Sequence, residues 1–277
     1  MSYLTMLLGE NIPHSEQFSG LLNYGSHMVS TGQLTEASKL WDFCFRMAEV
    51  NKDPEEKDFV ASRTCAMQAL DAVTQLDAEV GMPFKILEHW LELQERSLQI
   101  STSPQLDSYF TSHLEHIQGI WALRNGDIGT AKAKLAAIEA RASSALLPIE
   151  PFAATLELEL DLAEGATAEE LVPVLSTLHQ HTGSTCGDAL RKAKVGAKLG
   201  HHTATDEQLS NILEGKCIIE TSEHGVVLAE AQVWQAERLW KSDNAAARQL
   251  LTSFQQRWSE ADPSIKLKLR ADTLSNK

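Results

Sequence analysis

The amino-acid sequence predicts an all-α protein, and three observations carry that prediction. The chain has 15 glycines and 8 prolines among 277 residues, whereas average usage of roughly 7% and 5% would give about 33 in total. Helix start signals recur along the chain, and the stretches between them place apolar residues at helical spacing. No run alternates with a period of two for long enough to require a strand.

The helix starts share one chemistry. Each offers a side chain that accepts hydrogen bonds from free backbone N–H groups, a proline in the first turn, or a glutamate or glutamine three residues later. In chain order they are Asp53-Pro54, Ser103-Pro104, Thr167 to Glu170, Thr205 to Gln208 and Asp262-Pro263. The predicted helices are 14–31 and 33–50, 55–79 and 83–100, 104–124 and 127–144, 149–164 and 167–181, 185–199 and 205–221, 225–241 and 243–259, with a short basic helix near 263–273. Because the connections are short, we expect successive helices to be antiparallel neighbours.

Six helix pairs between residues 14 and 259 give a period of about 41 residues. Stacked helical hairpins of roughly 34 to 47 residues are typical of α-solenoids. We therefore predict a single continuous helical-repeat domain over 1–277, with its most regular part at 14–144, divergent hairpins at 149–259 and a terminal helix at 263–273. A HEAT-like stack or a compact helical bundle is the alternative architecture.

Residues 18–51 carry a specific pattern of large and small side chains. Its members are Phe18, Leu21, Tyr24-Gly25, Met28, Gly32, Ala37, Trp41 and Cys44. This pattern resembles a tetratricopeptide (TPR) repeat, with Glu49 where the family usually has proline. Residues 112–145 repeat much of it, and a third, weaker unit contains Ala246 and Leu250 but has Trp234 in place of a small residue. The small residues let neighbouring helices approach closely. The resemblance implies an irregular TPR-like α-solenoid of about six antiparallel helix pairs.

The TPR resemblance also implies a function, because members of that family are typically protein-interaction modules. In the family, the first helix of each hairpin lines a concave groove. The matching positions are Leu22, Ser26 and Val29 in the first unit, His113, His116, Ile120 and Arg124 in the second, and Gln235 and Arg238 in the third. Ordinary inter-helix packing is the alternative interpretation for each of them. Leu22 and Ser26 replace the Lys and Asn of a chaperone-tail clamp, so we expect a partner segment with apolar anchors and some acidic groups instead.

The charge of the chain restricts its partners. It has 24 basic and 38 acidic side chains, a net charge of −14, which opposes nucleic-acid binding because that affinity comes largely from Lys and Arg on phosphates. A local basic patch is predicted where Arg191, Lys194 and Lys198 share one helix face. This patch is interpreted either as a receptor for an acidic peptide or phosphate, or as a solvated face that balances nearby acids.

Motifs for catalysis and metal binding were sought and do not occur. His113 and His116 could supply two ligands of a metal site. Such a site needs three or four ligands, and no His-Glu-x-x-His motif or Cys-rich cluster supplies the others. Cys44 and Cys65 are interpreted as small buried residues, and the four widely spaced cysteines are not expected to form a disulfide framework. The sequence therefore predicts no enzyme, no metal and no cofactor.

The remaining predictions concern location and role. No basic leader with a cleavage site and no apolar stretch of bilayer length is visible, so we predict a cytoplasmic protein with no membrane partner. The first functional hypothesis is an adaptor, chaperone-like or assembly factor that binds a peptide or helix of another protein. The second is a regulatory or sensor domain that binds a signal peptide or small molecule. A sensor predicts a closed pocket with buried polar groups, and an adaptor predicts an open groove with exposed apolar anchors.

Overall fold

The computed structural model describes residues 14–37, 39–40, 43–44, 104–142, 148–182, 185–218 and 224–277. These residues form helices joined by turns, so the all-α prediction is confirmed for the described part of the chain. The β pairing found there is an isolated parallel bridge between Thr185 and Ile218. The helices predicted at 55–79 and 83–100, and half of the one predicted at 33–50, lie outside the described residues.

Ten helices have both ends within the described residues. In chain order they are α1 His14–Ser30, α2 Pro104–Arg124, α3 Ile128–Arg141, α4 Glu150–Glu164, α5 Ala168–Thr182, α6 Cys186–Lys198, α7 His202–Leu213, α8 His224–Leu239, α9 Asn244–Arg257 and α10 Lys266–Ser275. A helical segment also covers 34–37. Within the described ranges, each helix is too short or too polar to cross a membrane.

Two of the predicted start signals act as expected. Pro104 is the first residue of α2. Ahead of α5, the Glu170 carboxylate accepts a hydrogen bond from the Thr167 backbone N–H at 2.7 Å, and the Thr167 hydroxyl accepts one from the Glu170 N–H at 3.4 Å. The Thr167 backbone N–H lowers the pKa of Glu170. This reciprocal pair is the predicted capping box.

The starts predicted at Thr205 and after Asp262 are wrong, because tertiary contacts use these side chains elsewhere. Helix α7 begins at His202, and Thr205 is buried within it with its hydroxyl donating to the His201 carbonyl at 3.0 Å. The Asp262 carboxylate accepts from the Thr35 backbone N–H at 2.8 Å, and α10 begins only at Lys266. Asp262 thus caps the helical segment at 34–37 instead of its own helix.

The described chain divides into two compact units, and the first contains α2, α3, α4 and α1 up to Gly25. Helix α2 packs against both α3 and α4. A Cβ atom on Gly119 of α2 would lie 2.5 Å from Leu156 Cδ2 of α4. The predicted close crossing at Gly119 therefore exists, but the neighbour is α4 rather than the hairpin partner α3.

The predicted glycine turns are confirmed at Gly32 and Gly126, which have φ of 75° and 77°. Such positive φ values favour glycine because it has no Cβ. After Gly126, the Asp127 backbone N–H donates to the Ala122 carbonyl at 2.9 Å, and the Asp127 carboxylate accepts from the Thr130 backbone N–H at 3.0 Å. One short turn thus ends α2 and caps α3.

The second unit comprises Ser26–Thr35 and the chain from Ala166 onward. Helices α6 and α7 form one hairpin, and α8 and α9 form the next. Helix α8 also contacts α6, α7 and α10, so its small residues are buried on several sides: Ala229, Ala231, Val233 and Ala236 are inaccessible to solvent. Helix α10 contacts α8 and α9. This arrangement makes α8 the centre of the unit.

The turn after α1 packs on the segment that follows α9. A Cβ on Gly32 would lie 2.6 Å from Ala261 Cβ and 2.6 Å from a ring carbon of Trp258. The Asp262 backbone N–H donates to the Gly32 carbonyl at 3.0 Å. Glycine at this turn is therefore required by close packing as well as by its backbone conformation.

The expectation that the cysteines form no disulfides is wrong, whereas Cys44 is buried as predicted. Cys186 and Cys217 form a disulfide, and Cys44 is also disulfide-bonded, its partner lying outside the described residues. The α6–α7 hairpin returns the chain to the start of α6, where the Cys186 backbone N–H donates to the Ile218 carbonyl at 3.0 Å. Antiparallel hairpin geometry thus brings together two cysteines that are 31 positions apart, a proximity that sequence spacing alone does not reveal.

Candidate functional site

An open cleft of about 650 Å³ lies between the C-terminal end of α8 and helix α10. The described residues that line it include five basic side chains and one acidic side chain. They are Glu237, Arg238, Trp240, Lys241, Lys266, Leu269, Arg270, Thr273, Leu274 and Lys277. The chain as a whole has a net charge of −14, so the charge of the cleft is opposite in sign to that of the protein.

The sequence of α10 explains why the helix presents one face to this cleft. Leu267, Ala271 and Leu274 recur at helical spacing and are buried, which fixes α10 against α8 and α9. Leu269 lies about 200° around the helix from Leu267, since each residue advances by roughly 100°. Its side chain remains 50% exposed.

Glu237 and Arg270 connect the two helices that form the cleft. The Arg270 guanidinium donates from Nε to Glu237 Oε1 at 3.0 Å and from Nη2 to Oε2 at 2.7 Å. Paired hydrogen bonds of this kind give guanidinium–carboxylate contacts their directional specificity. The pair is about one-third exposed on each side, so it fixes the position of Arg270 more than it stabilises the fold.

Arg238 connects the cleft to α7. Its Nε donates to Asp206 Oδ1 at 2.6 Å, and its Nη2 donates to the His202 carbonyl oxygen at 3.2 Å. The hydrogen bond from Arg238 lowers the pKa of Asp206, and the same bond raises the pKa of Arg238. Asp206 is thus held in its charged form, and Arg238 is held at one wall of the cleft.

Three lysines line the cleft, Lys241, Lys266 and Lys277, and none of them has an acidic side-chain partner within the described part of the chain. Lys241 follows the end of α8, Lys266 begins α10, and both are exposed. Trp240 and Leu269 add apolar surface to the lining of the cleft. The Arg248 guanidinium lies over the Trp240 ring at 5.4 Å from its centroid, which helps to hold the ring in place. The cleft can therefore bind a ligand that is both apolar and anionic.

Of the groove residues predicted in the third unit, Arg238 lines this cleft and Gln235 does not. Gln235 is 9% exposed, and its side chain contributes, after Arg238, to lowering the pKa of Asp206 of α7. Gln235 therefore belongs to the packing beside the cleft, whereas Arg238 is available at its wall.

The groove residues predicted on α2 are packed against α4 or the core. The ring of His113 stacks on Phe152 at a centroid distance of 4.5 Å, and His116 Nδ1 lies 3.0 Å from the Phe152 carbonyl oxygen. Both histidines are less than 10% exposed, and Ile120 packs on the adjoining core. This placement favours the packing interpretation for the two histidines: His113 stacks on Phe152 of α4, and His116 lies within hydrogen-bond distance of the Phe152 carbonyl oxygen.

The remaining predicted groove residues give less information. Val29 is buried at the end of α1, so it is a packing residue and not an exposed groove residue. Leu22 and Ser26 lie on α1 and Arg124 ends α2, but their side chains lie outside the described residues.

The predicted basic patch lies on α6, as expected. Lys194 Nζ is 3.0 Å from Glu230 Oε1 of α8, and that carboxylate is largely buried. Arg191 is half-buried and Lys198 is exposed. For Lys194, this arrangement favours the interpretation in which the patch balances nearby acids, because Glu230 already neutralises its charge. Anion binding by the patch stays a prediction.

Sequence reasoning missed the contribution of Trp240, Lys241, Lys266 and Leu269. The sequence predicts a short basic helix near 263–273, but it does not predict a cleft beside that helix. The apolar spacing of α10 does indicate part of it. If Leu267, Ala271 and Leu274 form the buried face, Leu269 falls on the opposite, exposed face of the helix.

The comparisons with known proteins identify no relative. No family model, no curated protein and no solved structure matches the chain. In the described ranges, no group of three or more His, Cys, Asp or Glu side chains is arranged to hold a metal ion. The function is therefore argued from the geometry and charge of the cleft.

Proposed function

We propose that this protein is a protein-interaction module, acting as an adaptor, chaperone-like or assembly factor, and that it binds a segment of a partner in the α8–α10 cleft. The observation that carries the proposal is Leu269, a large apolar side chain that is 50% exposed beside Trp240 in a cleft with an ionic rim. Apolar and aromatic anchors inside a polar rim are the usual anatomy of protein interfaces.

The contacts among the helices support this proposal. Helix α8 contacts α6 and α7, and α10 contacts α8 and α9 in the same order. In a TPR-like solenoid, which we propose as the architecture, α8 and α10 are the first helices of successive hairpins. The cleft between them then corresponds to the groove that such proteins use for peptides or helices.

A sensor is the second hypothesis, and the cleft favours it less. A small-molecule sensor needs an enclosed pocket with convergent polar groups, because most of the ligand surface must be buried. Here Glu237, Lys241, Lys266 and Leu269 are exposed along the cleft. An open rim of this kind suits a chain segment better than an enclosed ligand.

Affinity capture with matched variants tests the proposed function. Full-length wild type, Leu269→Asp and Val172→Asp are immobilised and exposed to a lysate of the native source. Val172 of α5 is the control because it is also a large exposed apolar residue, 62% accessible, and it does not line the cleft. We expect the same proteins from wild type and Val172→Asp, loss of these proteins with Leu269→Asp, and chemical crosslinks from Lys241 or Lys266.

The outcomes of this experiment separate the two functions. Equal recovery with Leu269→Asp would place the interaction outside the cleft and refute the proposal. A co-purified small molecule with no stoichiometric protein would favour the sensor. Circular dichroism of each variant verifies that the helices are intact, and the exposed positions of both residues predict that they are.

A further inference from the structure

The chemistry of the cleft also specifies its partner, and this inference rests on the proposed function. We propose that the α8–α10 cleft recognises an acidic segment of another protein in which carboxylates flank a large apolar side chain. The apolar side chain lies on Trp240 and Leu269, and the carboxylates lie against the basic rim.

The distribution of charge is the first argument. The chain as a whole carries 38 acidic and 24 basic side chains, yet the described lining of the cleft has five basic residues and one acidic residue. A basic surface on an acidic protein attracts an acidic segment locally, while the rest of the protein repels other polyanions. This contrast favours an acidic protein segment over nucleic acid, whose long phosphate backbone would extend beyond the cleft.

The existing ion pairs show which group the cleft accepts. Arg270 already binds a carboxylate through two hydrogen bonds to Glu237, and Arg238 binds one from Asp206. Lys241 and Lys266 lack such a partner among the described residues. A lysine ammonium group offers three hydrogen-bond donors and no acceptor. Carboxylates of a bound segment satisfy these two lysines without displacing the internal pairs.

The positions of the lysines favour a segment over a single small anion. Lys241 belongs to the end of α8 and Lys266 to the start of α10, so the available charges come from two helices rather than from one converging set of donors. The lining also includes the apolar side chains of Leu269, which is exposed, and Trp240, which is partly exposed. A free phosphate would leave this apolar surface uncovered, whereas a peptide covers it and reaches both charges.

Selection from a library of short random peptides displayed on phage tests the inference. The baits are the full-length wild type, Leu269→Asp, the charge-reversed double variant Lys241→Glu/Lys266→Glu, and the control Lys132→Glu/Lys216→Glu. The control makes the same change of net charge at two exposed lysines outside the cleft. Synthetic copies of the enriched peptides, and copies with Glu and Asp replaced by Gln and Asn, are then titrated by fluorescence anisotropy.

We expect wild type and the control to enrich peptides with acidic residues around an aromatic or aliphatic residue. The cleft double variant is expected to weaken their binding by about tenfold or more, equivalent to about 1.4 kcal/mol, and raising the ionic strength is expected to weaken binding to wild type. The amide copies are expected to bind as weakly to wild type as the acidic copies bind to the cleft variant.

Three results would overturn the inference, and they differ in what they mean. Enrichment of neutral or basic peptides that is lost with Leu269→Asp would refute the acidic class and leave the proposed function standing. Enrichment that is equal on wild type and Leu269→Asp, or absent from both, would refute the proposed function itself. Self-association of the wild type in sedimentation experiments, abolished in the cleft double variant, would make a second copy of this acidic chain the occupant instead of another protein.

Discussion

At the crossing of α2 and α4, substitution of Gly119 by alanine has two opposing effects on the stability of the fold. Gly119→Ala gains helix propensity of about 0.8–1 kcal/mol. The new Cβ, however, would lie 2.5 and 2.9 Å from the two Cδ atoms of Leu156. Leu156 is inaccessible and packs with Ile138 and Leu160, so it has little room to move. Overpacking of this kind costs about 1–3 kcal/mol. Because both contacts are shorter than 3 Å, we expect a cost of about 2–3 kcal/mol here, and therefore a net loss of about 1–2 kcal/mol after the gain in helix propensity.

The matched control is Gly129→Ala in α3. There the Cβ would meet only Asp127 Oδ1, at the ordinary contact distance of 3.6 Å, so we expect a gain of about 0.5–1 kcal/mol. In a Leu156→Ala background the clashing atoms are gone, and Gly119→Ala should become stabilising by about 1 kcal/mol. The implied coupling energy is about 2–3 kcal/mol. Urea unfolding and hydrogen exchange in α2 and α4 measure these values. Stabilisation by Gly119→Ala in the wild-type background would refute the close crossing.

Three further predictions concern the second unit. Gly32→Ala should destabilise the fold by about 2–4 kcal/mol, because overpacking against Trp258 and Ala261 adds to the cost of a φ of 75°. The control is Gly200→Ala, which has a φ of 74° but open space around it. It should lower the stability by only about 1–2 kcal/mol in the same thermal denaturation series. Reduction of Cys186–Cys217 opens a loop of 31 positions and should lower the free energy of unfolding by about 3–4 kcal/mol. If a reductant lowers the stability of Cys186→Ala/Cys217→Ala as much as that of the wild type, the stabilisation does not come from this bond. The pKa of Asp206 is lowered in the folded state, so the stability that its charged form contributes is present above the unfolded pKa of about 3.9 and is lost as the pH falls through the folded pKa. Asp206→Asn should lower the free energy of unfolding by under about 1 kcal/mol at neutral pH. It should also remove this acid dependence, as followed by circular dichroism.

The helices were largely predictable because their signals are local. The range predicted for α3 was 127–144, and the helix covers Ile128–Arg141. The capping box at Thr167 and the turn at Gly126 depend only on residues within a few positions of each other. Thr205 and Asp262 show the limit of this reasoning. Both have the chemistry of a helix cap, but α6 and the turn after α1 make competing contacts with them.

The cleft was only partly predictable for the same reason. Arg238 was assigned to the groove through the TPR resemblance, and it lines the cleft. Its neighbours come from α10, and nothing in the sequence states that α10 packs against α8. The histidines of α2 fit the same repeat positions, yet Phe152 of α4 covers them. A repeat pattern identifies equivalent positions, but the next helix decides which of them stay exposed.

The disulfide bears on both the location and the site. Disulfides persist mainly in oxidising compartments, so Cys186–Cys217 argues against the predicted cytoplasmic location. The bond closes the α6–α7 hairpin, and Asp206 of that hairpin holds Arg238 of α8 at the cleft through a 2.6 Å hydrogen bond. The position of Arg238 therefore depends on the hairpin remaining packed against α8. A bond that stabilises the hairpin also stabilises one wall of the cleft, although neither cysteine lines it.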